Sequence, residues 1–184
     1  MLIKHAGVQF GIALLLFTLW AAADAWYTVT GLGVATALSL LLAVLAGVAI
    51  ATVVHEWFHL LGAKLGGAAY RIPDKPGLFV YDYDYASNTL SQFNKMSLAG
   101  QAGSWLSVLA LALLIPGDNP GRDMLVSAAA GAAVYAGYIE LPPLRRAQVS
   151  GDPLAELSRI DQGVLQRAGV VAVAAVLLWQ FLSR

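Results

Sequence analysis

Apolar tracts separated by short polar breaks organise this chain. Residues 6–23 carry no charge before Asp24, and residues 25–54 carry none before His55. A helix needs about 20 mostly apolar residues to cross the roughly 30 Å hydrocarbon core of a bilayer, so each tract predicts a span. The first covers Ala6 to Ala23. The second starts near Leu32 and runs into the segment that begins at His55. A third is expected from Met96 to Ile115, stopped by Pro116-Gly117-Asp118. A fourth covers Met124 to Ile139, is short and rich in small residues, and is interrupted by Glu140, Pro142 and Pro143. A fifth runs from Ala168 to Ser183. The fold class that follows is an all-α polytopic membrane protein with about five transmembrane helices, forming one integral membrane domain over residues 1–184. Lys4, the first apolar tract and Ala21-Ala22-Ala23 also have the pattern of a cleavable leader; the tract is taken here as a first span.

The break between the second and third spans has its own pattern. Gly66-Gly67 ends a helix, and Pro73 and Pro76-Gly77 mark turns. Leu78 to Tyr85 then alternates Tyr with Asp, a period-two strand signal. The expectation is a short strand or hairpin at the cytoplasmic membrane surface, with an aromatic interfacial loop as the alternative. Its edge is a candidate for strand addition by an extended substrate. In the fourth span Ala128, Gly131, Ala132 and Ala136 allow close helix packing, expected against the second span.

Basic residues set an orientation. With the N-terminus in the cytoplasm, Lys4, Lys64, Arg71, Lys75, Lys95, Arg145, Arg146, Arg159 and Arg167 lie inside, and only Arg122 and Arg184 lie outside. The positive-inside rule favours that arrangement, and Trp20, Trp26, Tyr27 and Trp179 then fall near the outer interface.

Composition agrees: 59% of residues are hydrophobic and 12% charged, against roughly 25% charged in soluble domains. The net charge is zero and no basic run is present, which gives no reason to expect nucleic acid as a partner. With no cysteine, disulfides and thiolate metal sites are excluded, so a transition-metal site must use His, Asp and Glu. Of the three histidines, two stand in His55-Glu56-Trp57-Phe58-His59. Positions i and i+4 share a helix face, so both imidazoles can reach one metal ion, and Glu56 is placed to act as general base on an activated water. Ionisable groups at a span are costly and by default mark function. The bland alternative is a polar helix end with two satisfied histidines.

A membrane-embedded HExxH at the end of a span resembles the site-2 protease family of intramembrane zinc metalloproteases. The likeness continues in Asn94-Lys95-Met96-Ser97-Leu98-Ala99-Gly100-Gln101-Ala102, similar to the family's "SLAGPLAN" segment with Gln101 where proline is usual, and covers roughly residues 46–152. The resemblance implies a zinc endopeptidase that cuts single-span membrane proteins in regulated intramembrane proteolysis, in a bacterial or archaeal inner or plasma membrane, and the count of basic residues places its active site toward the cytoplasm. His55 and His59 would be zinc ligands and Glu56 the catalytic base.

The family takes its third ligand from a later NxxPxxxxDG segment. Aligning Pro143 with that proline puts Glu140 at the asparagine and Gln148 at the aspartate, with Asp152 four residues further on. A catalytic zinc site needs three protein ligands, so a carboxylate is expected: Asp152 is favoured, Glu140 is the alternative, and a surface Gly-Asp-Pro turn or a helix-end carboxylate are their respective structural readings. Asn94 and Gln101 are candidates to bind substrate backbone, with interhelical hydrogen bonding as the other use. Two further readings stand beside the enzyme: a catalytically inactive scaffold or binding subunit of a membrane complex, and a small transporter component.

Overall fold

The computed structural model describes residues 1–183; Arg184, counted above on the outer side, lies outside them. Five long apolar helices are present: α1 (Leu2–Thr30), α2 (Gly33–Leu65), α3 (Leu90–Leu114), α4 (Pro120–Ser150) and, after the short α5 (Pro153–Leu157), α6 (Gln162–Leu182). Each is long and apolar enough to cross a membrane. The architecture is an all-α polytopic membrane protein.

Local chemistry sets the helix ends. Gly31 closes α1 in the left-handed conformation, φ 63°, where a glycine has no Cβ to clash. Thr89 and Gln92 form a capping box at the start of α3, and Asn119 caps α4 ahead of Pro120. Inside the bundle α2 packs on α1, α3 and α4, while α6 rests mainly on α4 and buries only Ala168. The core is built from small side chains. Ala43, Ala46 and Ala51 of α2 meet Leu125, Ala129 and Ala133 of α4 around Trp20, because in lipid close backbone approach rather than water exclusion holds helices together.

The small-residue face of the fourth span divides between two neighbours. A Cβ on Gly47 of α2 would stand 3.0 Å from Ala128, whereas one on Gly131 would meet Val176 of α6 at 2.7 Å. The stripe expected to pack against the second span therefore also seats α6.

Two expectations change. The fourth span does not stop at Glu140 and the prolines; α4 continues through Pro142 and Pro143 to Ser150. The two prolines remove the bonds to the carbonyls of Tyr138 and Ile139, but Pro143, Leu144 and Ala147 are buried, and that packing carries the helix on. The Leu78–Tyr85 strand is much shorter than its alternation suggests. Asp82–Tyr83 (β2) pairs antiparallel with Tyr70–Arg71 (β1), Tyr70 opposite Tyr83. Tyr70, Tyr81, Tyr83, Tyr85 and Phe93 instead stack edge-on or tilted, with centroids 5.0–6.5 Å apart. Beyond α4, Glu156 bonds Arg146 at 2.7 Å and Arg159 at 3.1 Å, which holds its carboxyl below the usual range and ties α5 back to α4.

Candidate metal centre

His55 and His59 lie on one face of α2, one turn apart, and both are buried. Their Nε2 atoms stand 2.8 Å from each other. The acidic side chain that joins them is Glu140 of α4, whose Oε1 is 2.8 Å from Nε2 of His55 and 3.3 Å from Nε2 of His59. These three residues form a buried group able to hold a metal ion.

The ring orientations are fixed from behind. Nδ1 of His55 faces the Gly100 carbonyl at 3.0 Å and the Ser104 hydroxyl at 2.9 Å. Nδ1 of His59 faces the Met96 carbonyl at 2.9 Å. A carbonyl oxygen only accepts, so the hydrogen-bond network assigns a proton to each Nδ1. In its neutral form each ring then turns an unprotonated Nε2 toward its partner. Two nitrogen lone pairs and a carboxylate oxygen then converge, an arrangement that a bound cation or a proton held on one ring relieves. The 2.8–3.3 Å separations lie at or just below the roughly 3.3 Å edge of a tetrahedron with bonds near 2.0 Å. The donor set fits a divalent ion, two imidazoles and one carboxylate with positions left open.

Close approach of α3 makes this possible. A Cβ on Gly100 would overlap the His59 ring, and one on Gly62 would lie 2.5 Å from Ala99 and 2.6 Å from the Lys95 carbonyl. Only glycine at these positions lets α3 present its carbonyls to the imidazoles. Gln101 completes the outer layer, donating from Nε2 to Oε2 of Glu140 at 2.8 Å; such partners orient ligands and tune them.

Glu56 is buried and lines a cavity of about 1010 Å³ together with His55, Glu140, Ser104 and the apolar faces of α2, α4 and α6. Its carboxylate makes no hydrogen bond to another described residue, which leaves it available to the cavity. Burial, with the Glu56 charge behind it, pushes the nearby Tyr81 hydroxyl above its usual range, so that group stays protonated.

Asp152, the favoured third ligand, does not join the two imidazoles. It caps α5, accepting from the Ala155 amide at 3.0 Å. The reason is the length of α4: Ser150 stands about 15 Å along the axis from Glu140 at 1.5 Å per residue. Asn94 exchanges two hydrogen bonds with Gln148, at 3.2 and 2.6 Å, and so braces α3 against α4. Gln101, the other candidate for substrate contact, is engaged with Glu140. Ser104, Gly100 and Met96 contribute to the centre through groups that no ligand-spacing argument singles out. No family model, curated protein or solved structure matches this chain.

Proposed function

We propose that the protein is an intramembrane zinc metallopeptidase, a site-2-type enzyme in which glutamate takes the third ligand position. The observation that carries this reading is the convergence of three metal-ligating atoms, Nε2 of His55, Nε2 of His59 and Oε1 of Glu140, beside a free Glu56 carboxylate at the end of an apolar cavity. When bound, zinc supplies Lewis-acid activation of water and of a peptide carbonyl. His55, His59 and Glu140 would hold it, with Gly100, Met96 and Gln101 keeping those ligands in place. Glu56 accepts the proton of the attacking water and returns it to the departing amine. The apolar walls admit a hydrophobic stretch of polypeptide and exclude bulk water. A helical substrate hides its carbonyls in its own hydrogen bonds and must unwind locally to be cut, which suits single-span membrane proteins in the surrounding bilayer. The nine-to-two distribution of basic residues supports a cytoplasmic N-terminus, with the metal-bearing end of the bundle on the same side.

Glu56→Gln tests the chemistry. Cleavage of a single-span membrane substrate by the purified protein in detergent should fall by about 10²–10⁴-fold, while metal content stays at the wild-type level. Cleavage retained in that variant removes Glu56 from the reaction.

A further inference from the structure

Residues 74–79 are all exposed, although the chain on either side of them is fixed. Val80 is fully buried and Tyr81 nearly so. At the other end the Pro73 carbonyl accepts from Nε2 of the fully buried His5 at 2.9 Å. Between these anchors, the hydrogen bonds that reach 74–79 among the described residues come from one side chain. Gln9 of α1 donates through Nε2 to the Gly77 carbonyl at 2.7 Å and to the Leu78 carbonyl at 2.9 Å. Its oxygen accepts from the Trp57 indole at 2.8 Å. A glutamine amide carries two N–H donors and one carbonyl, and Gln9, itself buried, commits both ends. Burying an amide without partners is costly, so Gln9 favours the state in which residues 77–78 lie against α1.

Leu78 and Phe79 border the cavity that holds His55, Glu56 and Glu140, yet each is 64% exposed. Side-chain packing therefore does little to hold them, and the backbone bonds from Gln9 carry that task. Trp57 sits within the His55–His59 segment, so one amide references the loop to the helical turn that bears two of the metal-binding side chains.

We propose that residues 74–79 form a strap across the rim of the metal cavity, latched by Gln9, and that Gln9 is a positioning residue governing access to the centre. This rests on the reading of His55, His59 and Glu140 as a metal centre. The strap swings between its anchors at Pro73 and Val80, and release of the Gln9 amide opens the rim to an entering molecule. A net hydrogen bond is worth roughly a factor of five in an equilibrium, so losing both Gln9 donors shifts the latched-to-free ratio by about 25-fold.

The chain lacks cysteine, so Phe79→Cys provides one site for a nitroxide label on the full-length protein in detergent. Gln9→Leu should raise the label's mobility and speed metal loss to EDTA by about tenfold or more. Gln9→Glu keeps an acceptor for Trp57 but turns an oxygen toward the two carbonyls, and should act in the same direction, which covers the case in which Gln9→Leu fails to fold. Trp57→Phe leaves both strap bonds but frees the Gln9 oxygen, and should move both readouts in the same direction by less than either Gln9 variant. Unchanged mobility or unchanged metal loss in both Gln9 variants overturns the proposal. Equal acceleration in Trp57→Phe overturns it too, since helix packing rather than the latch would then control access. A wild-type protein that binds no metal defeats the metal reading alone, and the label mobility still decides whether Gln9 latches the strap.

Discussion

Two groups of buried charge occupy opposite ends of the same bundle, and they differ in what neutralises them. At one end Asp24 of α1 is buried against Arg122 of α4, Nε to Oδ2 at 2.9 Å, with Ser39 of α2 beside it and Asp118 on the outer nitrogen of the arginine at 2.7 Å. That cluster carries its own cation. At the other end His55, His59 and Glu140 converge, and among the described residues no lysine or arginine pairs with them. Burial of charge is costly in both places, but only the first cluster is complete as built. A carboxylate matched by a guanidinium is a structural clamp between helices. A carboxylate facing two imidazoles is a group able to hold a positive ion.

Variants at the two ends should therefore separate stability from metal binding. Arg122→Ala leaves Asp24 buried without a cation, with only the Ser39 hydroxyl beside it. It should destabilise the protein by about 3 kcal/mol, toward the low end for a broken buried pair because the arginine is partly exposed, and leave the metal content of folded protein unchanged. Chemical unfolding in detergent, paired with metal analysis, reads both. Gln101→Leu removes the hydrogen bond behind Glu140 without touching a ligand atom. Metal affinity in a competition titration should weaken by about 10- to 100-fold, a loss of roughly 1.4–2.8 kcal/mol. Unaltered affinity would show that Glu140 needs no support from α3.

How much of this was legible beforehand depended on the range of the interactions. The spans show as uncharged tracts, and His55, Glu56 and His59 show through helical spacing, because both are local properties of the chain. The third acidic residue is not local. Counting from Pro143 reaches Gln148, and Asp152 is favoured only if a loop four residues longer follows a fourth span that ends near the prolines. Burial of Pro143, Leu144 and Ala147 keeps α4 intact to Ser150 and carries Asp152 away to cap α5. The better signal was the cost of an ionisable group in lipid: Glu140 lies within an apolar helix and demands a partner there. The alternating Tyr and Asp residues misled for a related reason, since aromatic stacking rather than strand pairing uses most of those side chains. Gln9 was unreadable, because its partners are backbone carbonyls whose positions exist only once residues 73–79 have folded against α1.

The most direct measurement is the metal-to-chain ratio of protein purified without chelators, taken for wild type, Glu140→Ala and Asp152→Ala. Wild type and Asp152→Ala should each carry about one divalent ion per chain, and Glu140→Ala should carry almost none. A wild type without metal, or a metal lost from Asp152→Ala and kept by Glu140→Ala, would contradict the account.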